Sequence, residues 1–499
     1  MGRLKSMQNK SPRLSKSRFM AGLQCSKRLY LEAFHRELMT PPSPAQQRIF
    51  DSGNYVGELA REEFPGDTLI DPPYYETEQA LKETEEAIAS GSTVIFEPAF
   101  RYKNVFVRVD VLRKTDKDTW DLIEVKSTLS ASDTHILDLA IQQFVVQGAG
   151  LTIDNCYLMH LNRDCRYPDL SNLFDIEPVD ERVEAIQQTI EPQVEIFNDL
   201  LKQDKVPYLP IGKQCMKPYE CPFVAHCWQD IKKPSIFTIP RISSTKIDSL
   251  IRTGVTSLLD IPDDFLLSDN QRQYVSLFKS GKPNILWPAI EQELEALEYP
   301  LYFLDFETQS DAVPRLDGLG CYKQYAFQYS LHILFEDGNL IHTEYLHPDK
   351  TDPRRPLAKS LISDIGHTGT IIAYNASFEK WVIKDLSWLF PEHRNKLRNM
   401  LDRFFDLLMI FRNYYFDPGF GGSNSIKKVL PVLIPDMSYK SLDVQDGTMA
   451  QIAWLQMINT EDPSQRDELA KSLKTYCKQD TFAMVEIFNF LQSELQKRA

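Results

Sequence analysis

Apolar positions recur at helical spacing from residue 14 to residue 35, after a polar arm at 1–13. Pro41, Pro42 and Pro44 break that pattern, and further helices are predicted over 55–63 and 76–90. Between 93 and 127 the period changes to two. Val105, Val107, Val109 and Val111 share one face there, and Phe106, Arg108, Asp110 and Leu112 the other. A helix over 136–147, a buried strand over 155–161 and a long amphipathic helix over 180–203 follow. A second block begins with an apolar strand at 301–306. It continues with strands around 325–335 and 370–374 and helices over 376–390, 396–413 and 465–496.

These blocks predict a multidomain α/β chain: a basic arm at 1–13, a first unit at 14–232, a helical connector at 233–295 and a last unit at 296–499. No internal repeat is visible. Within the connector, 242–262 reads as two short helices around Thr253-Gly254-Val255. That weakly resembles a helix-hairpin-helix; a plain packing device is the alternative.

Composition narrows the function. The 499 residues carry 56 Lys and Arg against 70 Asp and Glu, a net charge of −14, which argues against a protein that coats nucleic acid through a general positive field. A hydrophobic content of 42% excludes a disordered chain. Eight cysteines are too sparse for a disulfide framework, but three fall within 215–227, pointing to metal or cluster ligation in a reducing compartment. No apolar run approaches the roughly 18 residues of a membrane span, and the start lacks a signal-type apolar segment, so a cytoplasmic protein without a membrane partner is expected. The first 28 residues hold eight Lys and Arg and no acid. They read as a solvated arm, a transit peptide or a local phosphate contact.

The first chemical constellation is Asp110 with Glu124-Val125-Lys126, on what looks like a β-hairpin. Residues two apart on a strand face one side, so Glu124 and Lys126 project together and Asp110 can join them. Two carboxylates can hold a hard divalent cation, which polarises a phosphate and acidifies bound water, while the lysine steadies developing charge. A surface ion pair is the bland alternative. With Asp110 after an apolar strand, the pattern resembles the PD-(D/E)XK nuclease superfamily, in its RecB-like branch. That resemblance implies a restriction-endonuclease-like core, Mg²⁺ or Mn²⁺ on Asp110, Glu124 and the Val125 carbonyl, and a catalytic Lys126. Glu97 resembles an upstream acid, and Gln142 the glutamine of the Q-x-x-x-Y motif. Val146 stands in place of its tyrosine, and Glu58 or Glu62 could replace an absent histidine.

Cys215, Cys221 and Cys227 need a fourth ligand, with Cys25 or His226 available. One cysteine before the nuclease core and three after it resemble the iron–sulfur subset of RecB-like nucleases, including AddB and CRISPR-associated nucleases. This implies a structural [4Fe–4S] clasp on Cys25, Cys215, Cys221 and Cys227, with Zn²⁺ as the alternative.

The third constellation places Asp305 and Glu307 on one face of a buried strand, Glu379 at a helix start after Asn375, and Tyr476 with Asp480 one helical turn apart. Acids on an apolar strand are costly to bury, so metal ligation or an ion-pair network is expected. In this order the residues resemble a DnaQ-like DEDD exonuclease of RNase H-like fold, in its tyrosine subtype. The resemblance implies metal on Asp305, Glu307, Glu379 and Asp480, with Tyr476 positioning water. Glu379 replaces the usual Asp, and Asp406, read on an apolar helix, is a reserve ligand or a structural acid. The pairing resembles a bacterial family that combines both nuclease folds. It implies DNA hydrolysis at two active sites, the C-terminal one 3′-to-5′ on single strands or free ends, in DNA repair or defence against foreign DNA. A nucleic-acid-binding scaffold with degenerate sites and an RNA-trimming exonuclease are the alternatives.

Overall fold

The computed structural model describes residues 12–65 and 68–498, so most of the arm at 1–13 lies outside the described residues. The chain forms two compact units. The first is residues 1–230 with Asp311–Tyr322, and the second is Ile231–Ser310 with Lys323–Ala499. The connector thus belongs with the last block, and a short insertion between two strands of that block belongs with the first unit.

The first unit starts with Leu14–Ser15 paired in parallel with Val105–Arg108. Helix α1 (Lys16–Gln24) follows, its first turn capped by the Ser15 side chain. The predicted single helix over 14–35 is broken at Cys25, whose extended backbone (φ −166°) ends α1 and begins the helix Ser26–Phe34. The predicted helix at 55–63 is much longer, Pro44–Arg61, because Ser43 and Gln46 form a capping box and Pro44 fits the first helical turn.

A mixed six-stranded sheet carries the unit: β1 (Thr68–Leu69), β2 (Val94–Phe96), β3 (Val111–Lys114), β4 (Trp120–Lys126), β5 (Ile153–Leu161) and β6 (Phe174–Pro178), in that spatial order. The even alternation of 93–127 conceals a change of sheet. Val105–Arg108 pairs with Ala99–Tyr102 in a small sheet, and the chain then turns at Val109-Asp110 into β3. Helices α2 (Asp133–Gly148) and α3 (Asp180–Leu200) bury Leu139, Ile141, Val145, Val183, Val194 and their neighbours in one core with Leu112, Leu122 and Leu158.

In the second unit the connector holds a repeat that the sequence reading missed. Ser235 caps a 3-10 turn, Ile239-Pro240 follows, and Ser243 caps the helix Ser244–Arg252. Ser257 caps a second 3-10 turn, Ile261-Pro262 follows, and Ser268 caps the helix Asp269–Ser280. Ser235 and Ser257 meet in an antiparallel bridge.

The main sheet has the order β9-β8-β7-β10-β11, from β7 (Leu301–Ser310), β8 (Gln324–Leu334), β9 (Leu340–Leu346), β10 (Ile371–Ala373) and β11 (Phe404–Asp406). The first three strands are antiparallel, and β10 and β11 run parallel to β7. Against it lie α4 (Ser377–Leu389) and α7 (Pro463–Gln496), with α5 (Arg394–Leu401) packed on α4 and α6 (Ile426–Leu433) on α7. The predicted helix at 396–413 is in fact α5, β11 and a short helix, so Asp406 sits on a strand. The chain is therefore a mixed α/β multidomain protein. Among the described residues no helix is long and apolar enough to cross a membrane.

Candidate functional site

The turn at Val109-Asp110 aims Asp110 at the end of β4, where its carboxylate accepts from the Val125 amide at 2.7 Å. Glu124, only 1% exposed, accepts from Lys16 at 3.0 and 3.3 Å, Lys126 at 2.5 Å and Gln142 at 2.7 Å. Lys126 also reaches Asp138 at 2.8 Å. Burial and the neighbouring Glu124 charge push the Asp110 carboxyl up to about 7. Burial also opposes the Glu124 charge, yet Lys126 and Lys16 hold that carboxyl well below its ordinary range. One acid thus favours its proton and the other its charge.

Gln142 and Val146 share the buried face of α2, and Val146 fills core. Glu97 lies beside Asp110, its amide donating to the Asp110 carbonyl, and burial raises its carboxyl. Glu58 and Glu62 face solvent. Lys16 and Asp138 are part of the cluster, but the sequence reading did not assign them. The only signal for Lys16 was its place in the acid-free stretch.

The second cluster is tighter. Asp305, Glu307 and Asp480 present ligand atoms within 4.8 Å of one another, the one group of three or more potential ligands that close among the described residues. Strand alternation brings Asp305 and Glu307 together from β7, and one turn of α7 aligns Tyr476 with Asp480. Burial, reinforced by the Asp480 charge, drives Asp305 and Glu307 well above the usual carboxylate range. Burial lifts Asp480 to about 6 against the Tyr439 hydrogen bond and the Lys427 charge.

Glu379, in the first turn of α4, is 3% exposed and stands outside the tight group. Its Oε2 is buried without a hydrogen-bond partner, and burial lifts the carboxyl to about 8. Asp406 accepts from the amides of Asn375 at 2.9 Å and Leu408 at 3.1 Å, so it shapes the turn before α4. Asn375 (φ +76°) is exposed there and accepts from the Ser377 hydroxyl at 3.2 Å.

The sequence reading also passed over two groups around Tyr476. The Tyr439 hydroxyl donates to Asp480 at 2.7 Å, and Lys427 of α6 lies 3.4 Å from the Tyr476 hydroxyl. The Lys427 ammonium is 5.3 and 5.4 Å from the Tyr476 and Tyr439 ring centres. The Cys477 sulfur lies 3.6 Å from an Asp305 oxygen.

Cys25, Cys215, Cys221 and Cys227 line one small cavity of about 20 Å³ beside Arg28 and Phe223, and His226 is not among its lining residues. Burial raises the Cys221 thiol to about 11. No three of these sulfurs come within 4.8 Å of one another. A tetrahedral zinc with Zn–S near about 2.3 Å would draw its sulfurs to about 3.8 Å. A cluster interposes several irons and sulfides and holds its thiolates farther apart.

A family described as a domain of unknown function (DUF2779) matches residues 302–425. That span holds Asp305, Glu307 and Glu379 and stops before Lys427 and Asp480. The chain is 26% identical over 215 residues to the uncharacterized protein MG366 of Mycoplasma genitalium, covering 39% of this chain and 32% of that protein. It is 25% identical over 258 residues to the uncharacterized protein UU173 of Ureaplasma parvum, covering 46% of this chain and 36% of that protein. The chain thus spans about a third of the length of the curated relatives it matches. A solved structure, the crystal structure of SSO0001, aligns with 46% of this chain and 91% of its own at 12% identity and a TM-score of 0.24.

Proposed function

We propose that the chain is a metal-dependent nuclease that hydrolyses DNA phosphodiester bonds. Its first unit would be a RecB-like PD-(D/E)XK core with an iron–sulfur clasp. Its last block would be a DnaQ-like 3′-to-5′ exonuclease of RNase H-like fold. The setting proposed is a reducing, cytoplasmic one, in DNA repair or defence, in line with eight cysteines of which none is joined in a disulfide. The observation that carries the reading is the convergence of Asp305, Glu307 and Asp480 within 4.8 Å.

Three acids at that spacing, Glu307 and Asp480 buried and Asp305 half-buried, repel one another unless protonated or bridged by cations. Their oxygens, with the unpartnered Glu379 Oε2, fit hard divalent ions such as Mg²⁺ or Mn²⁺. Such ions, when bound, activate water and offset charge on the attacked phosphate. The chain's own groups do the rest. Asp305 and Glu307 are fixed by the sheet, Tyr476 orients the attacking water through its hydroxyl, and Lys427 adds positive charge where a phosphate would sit. In the first unit Asp110, Glu124 and the Val125 carbonyl would hold a cation while Lys126 steadies the leaving charge.

The first site also favours a second reading. Lys16 and Lys126 both ion-pair with Glu124, an arrangement that suits a nucleic-acid-binding site with degenerate catalysis. The test is hydrolysis of end-labelled single-stranded DNA, duplex DNA and RNA by the purified chain with Mg²⁺ or Mn²⁺. Asp305→Ala and Lys126→Ala are assayed separately. The reading expects cutting that Asp305→Ala reduces, and equal inertness of all three proteins would refute it. Loss with Asp305→Ala alone would assign the first unit to binding.

A further inference from the structure

Helix α4 has two faces. Glu379, Val382, Ile383 and Leu386 point inward. On the other side Trp381, Lys384 and Trp388 follow one another at i, i+3 and i+7, which places them on one stripe. Trp388 is 62% exposed, and Trp381 and Leu389 are each 38% exposed. Indole this open to water is unfavourable without a partner, and the groups around it are cations. The guanidinium groups of Arg394 and Arg398, from α5, lie 5.7 and 5.9 Å from the Trp388 ring centre. Lys384, one turn before Trp388, and Arg398 are exposed.

Residues 380–403 hold six Lys and Arg against three acids, in a chain whose net charge is −14. Of those acids, Asp385 is half-buried and Glu392 is paired with Arg355. The surface is therefore locally cationic as well as aromatic. Trp and Arg also anchor protein interfaces, but a local excess of cations in an acidic chain favours an anionic partner. Exposed rings flanked by arginines on a basic ground suit a polymer that offers flat bases and phosphates in alternation.

We propose that the Trp381–Lys384–Trp388 stripe, with Arg394 and Arg398, is a docking surface for single-stranded DNA. Trp388 stacks a base, and the cations of α5 hold the adjacent phosphates. The proposal rests on the nuclease reading, because it supplies that activity with a strand-holding surface. Glu379 and Trp388 are nine residues apart on one helix, about 13 Å along its axis. The two side chains leave the helix on opposite faces, because nine residues turn through about 180° beyond whole turns, so a strand held at Trp388 does not occupy the carboxylates.

The test is anisotropy of a labelled oligothymidylate on the full chain in EDTA, so that binding is read without cutting. Trp388→Ala is expected to weaken binding about tenfold. The double variant Lys384→Ala/Arg398→Ala, at exposed positions that do not threaten folding, should flatten the log–log salt dependence by about 1.4. Wild-type chain that binds no oligothymidylate, or variants that bind like wild type, would overturn the proposal. Tighter binding of the matching RNA would overturn its assignment to DNA.

Hydrolysis of p-nitrophenyl thymidine 5′-monophosphate with Mn²⁺ reads the carboxylate site separately, because this ester is too short to reach Trp388. Trp388→Ala should cleave it at the wild-type rate. An activity on it that is indifferent to Asp305→Ala would remove the nuclease reading of that site and leave the anisotropy result standing.

Discussion

The Tyr439 hydroxyl is bonded to Asp480 at 2.7 Å, joining a segment outside the regular elements to the middle of α7. Both residues are buried, so the bond is one of few that can stabilise the Asp480 charge. Tyr439→Phe should cost about 2 kcal/mol of stability at neutral pH, as for a lost hydrogen bond to a charged group. The bond favours the ionised form, so its contribution is lost as pH falls through the Asp480 value of about 6. Urea unfolding at pH 7 and pH 5 should show the two proteins converging at the lower pH.

The carboxylate cluster sets a second pH dependence. Asp305 and Glu307 are raised well above their ordinary values, and Glu379 to about 8, chiefly by burial. Between about pH 4 and pH 8 the native protein therefore holds protons that the unfolded chain has released. More protons on the native state mean that stability without divalent ions falls as pH rises through that window. Asp305→Asn should flatten the slope. Mn²⁺ should raise the melting temperature more at pH 8 than at pH 5, since cation and proton compete. At a hundred times its dissociation constant the gain is about 2.7 kcal/mol. An Mn²⁺ shift independent of pH would count against carboxylate ligation.

Lys427 places a positive charge against Tyr476, near Glu307 and Asp480. Lys427→Ala should lower the Asp305-dependent turnover about a hundredfold, on the scale of a lost electrostatic stabiliser. It should also tighten Mn²⁺ binding, because a competing cation is gone. Lys427→Arg should recover part of the rate. Unchanged Mn²⁺ affinity in a titration would show that the ammonium does not act on the carboxylates.

For the cysteines, anaerobic purification should yield iron and sulfide together. Cys25→Ser and Cys221→Ser should each reduce both, while Cys156→Ser, in the sheet core away from the cavity, should reduce neither. Zinc-loaded protein free of iron would rule out the cluster.

Two glycines separate strain from crowding. Gly338 (φ +84°) faces open space, and Gly369 (φ +88°) would set a Cβ 2.2 Å from the Pro300 carbonyl oxygen. Gly338→Ala should cost about 1 kcal/mol for its left-handed backbone alone. Gly369→Ala adds a clash with backbone next to the Tyr302–Thr370 bond and should cost about 3 kcal/mol or more. Denaturant midpoints check both.

The parts of the two sites that were legible in the sequence are those encoded by local periodicity. Glu124 with Lys126 and Asp305 with Glu307 follow from alternation, and Tyr476 with Asp480 from one helical turn. Lys16, Lys427 and Tyr439 arrive from distant segments, and no local pattern marks the approach. Asp406 reads as helical from sequence because its apolar neighbours fit either period over so short a stretch. The change of sheet at Val109-Asp110 was hidden because both flanking segments keep alternating. The repeat in the connector escaped notice because its two halves share turn chemistry, Ser caps and Ile-Pro, more than apolar spacing.

Asp311–Tyr322 is made late and used early in the chain. Ala312, Val313 and Cys321 bury themselves with Val56, Leu161 and Leu173. On the ribosome, residues 1–230 emerge long before this segment, with 231–310 in between. The nascent first unit must therefore wait with that apolar face uncovered, a window in which a chaperone would bind. A stop codon placed at the apparent boundary near residue 230 would make the wait permanent.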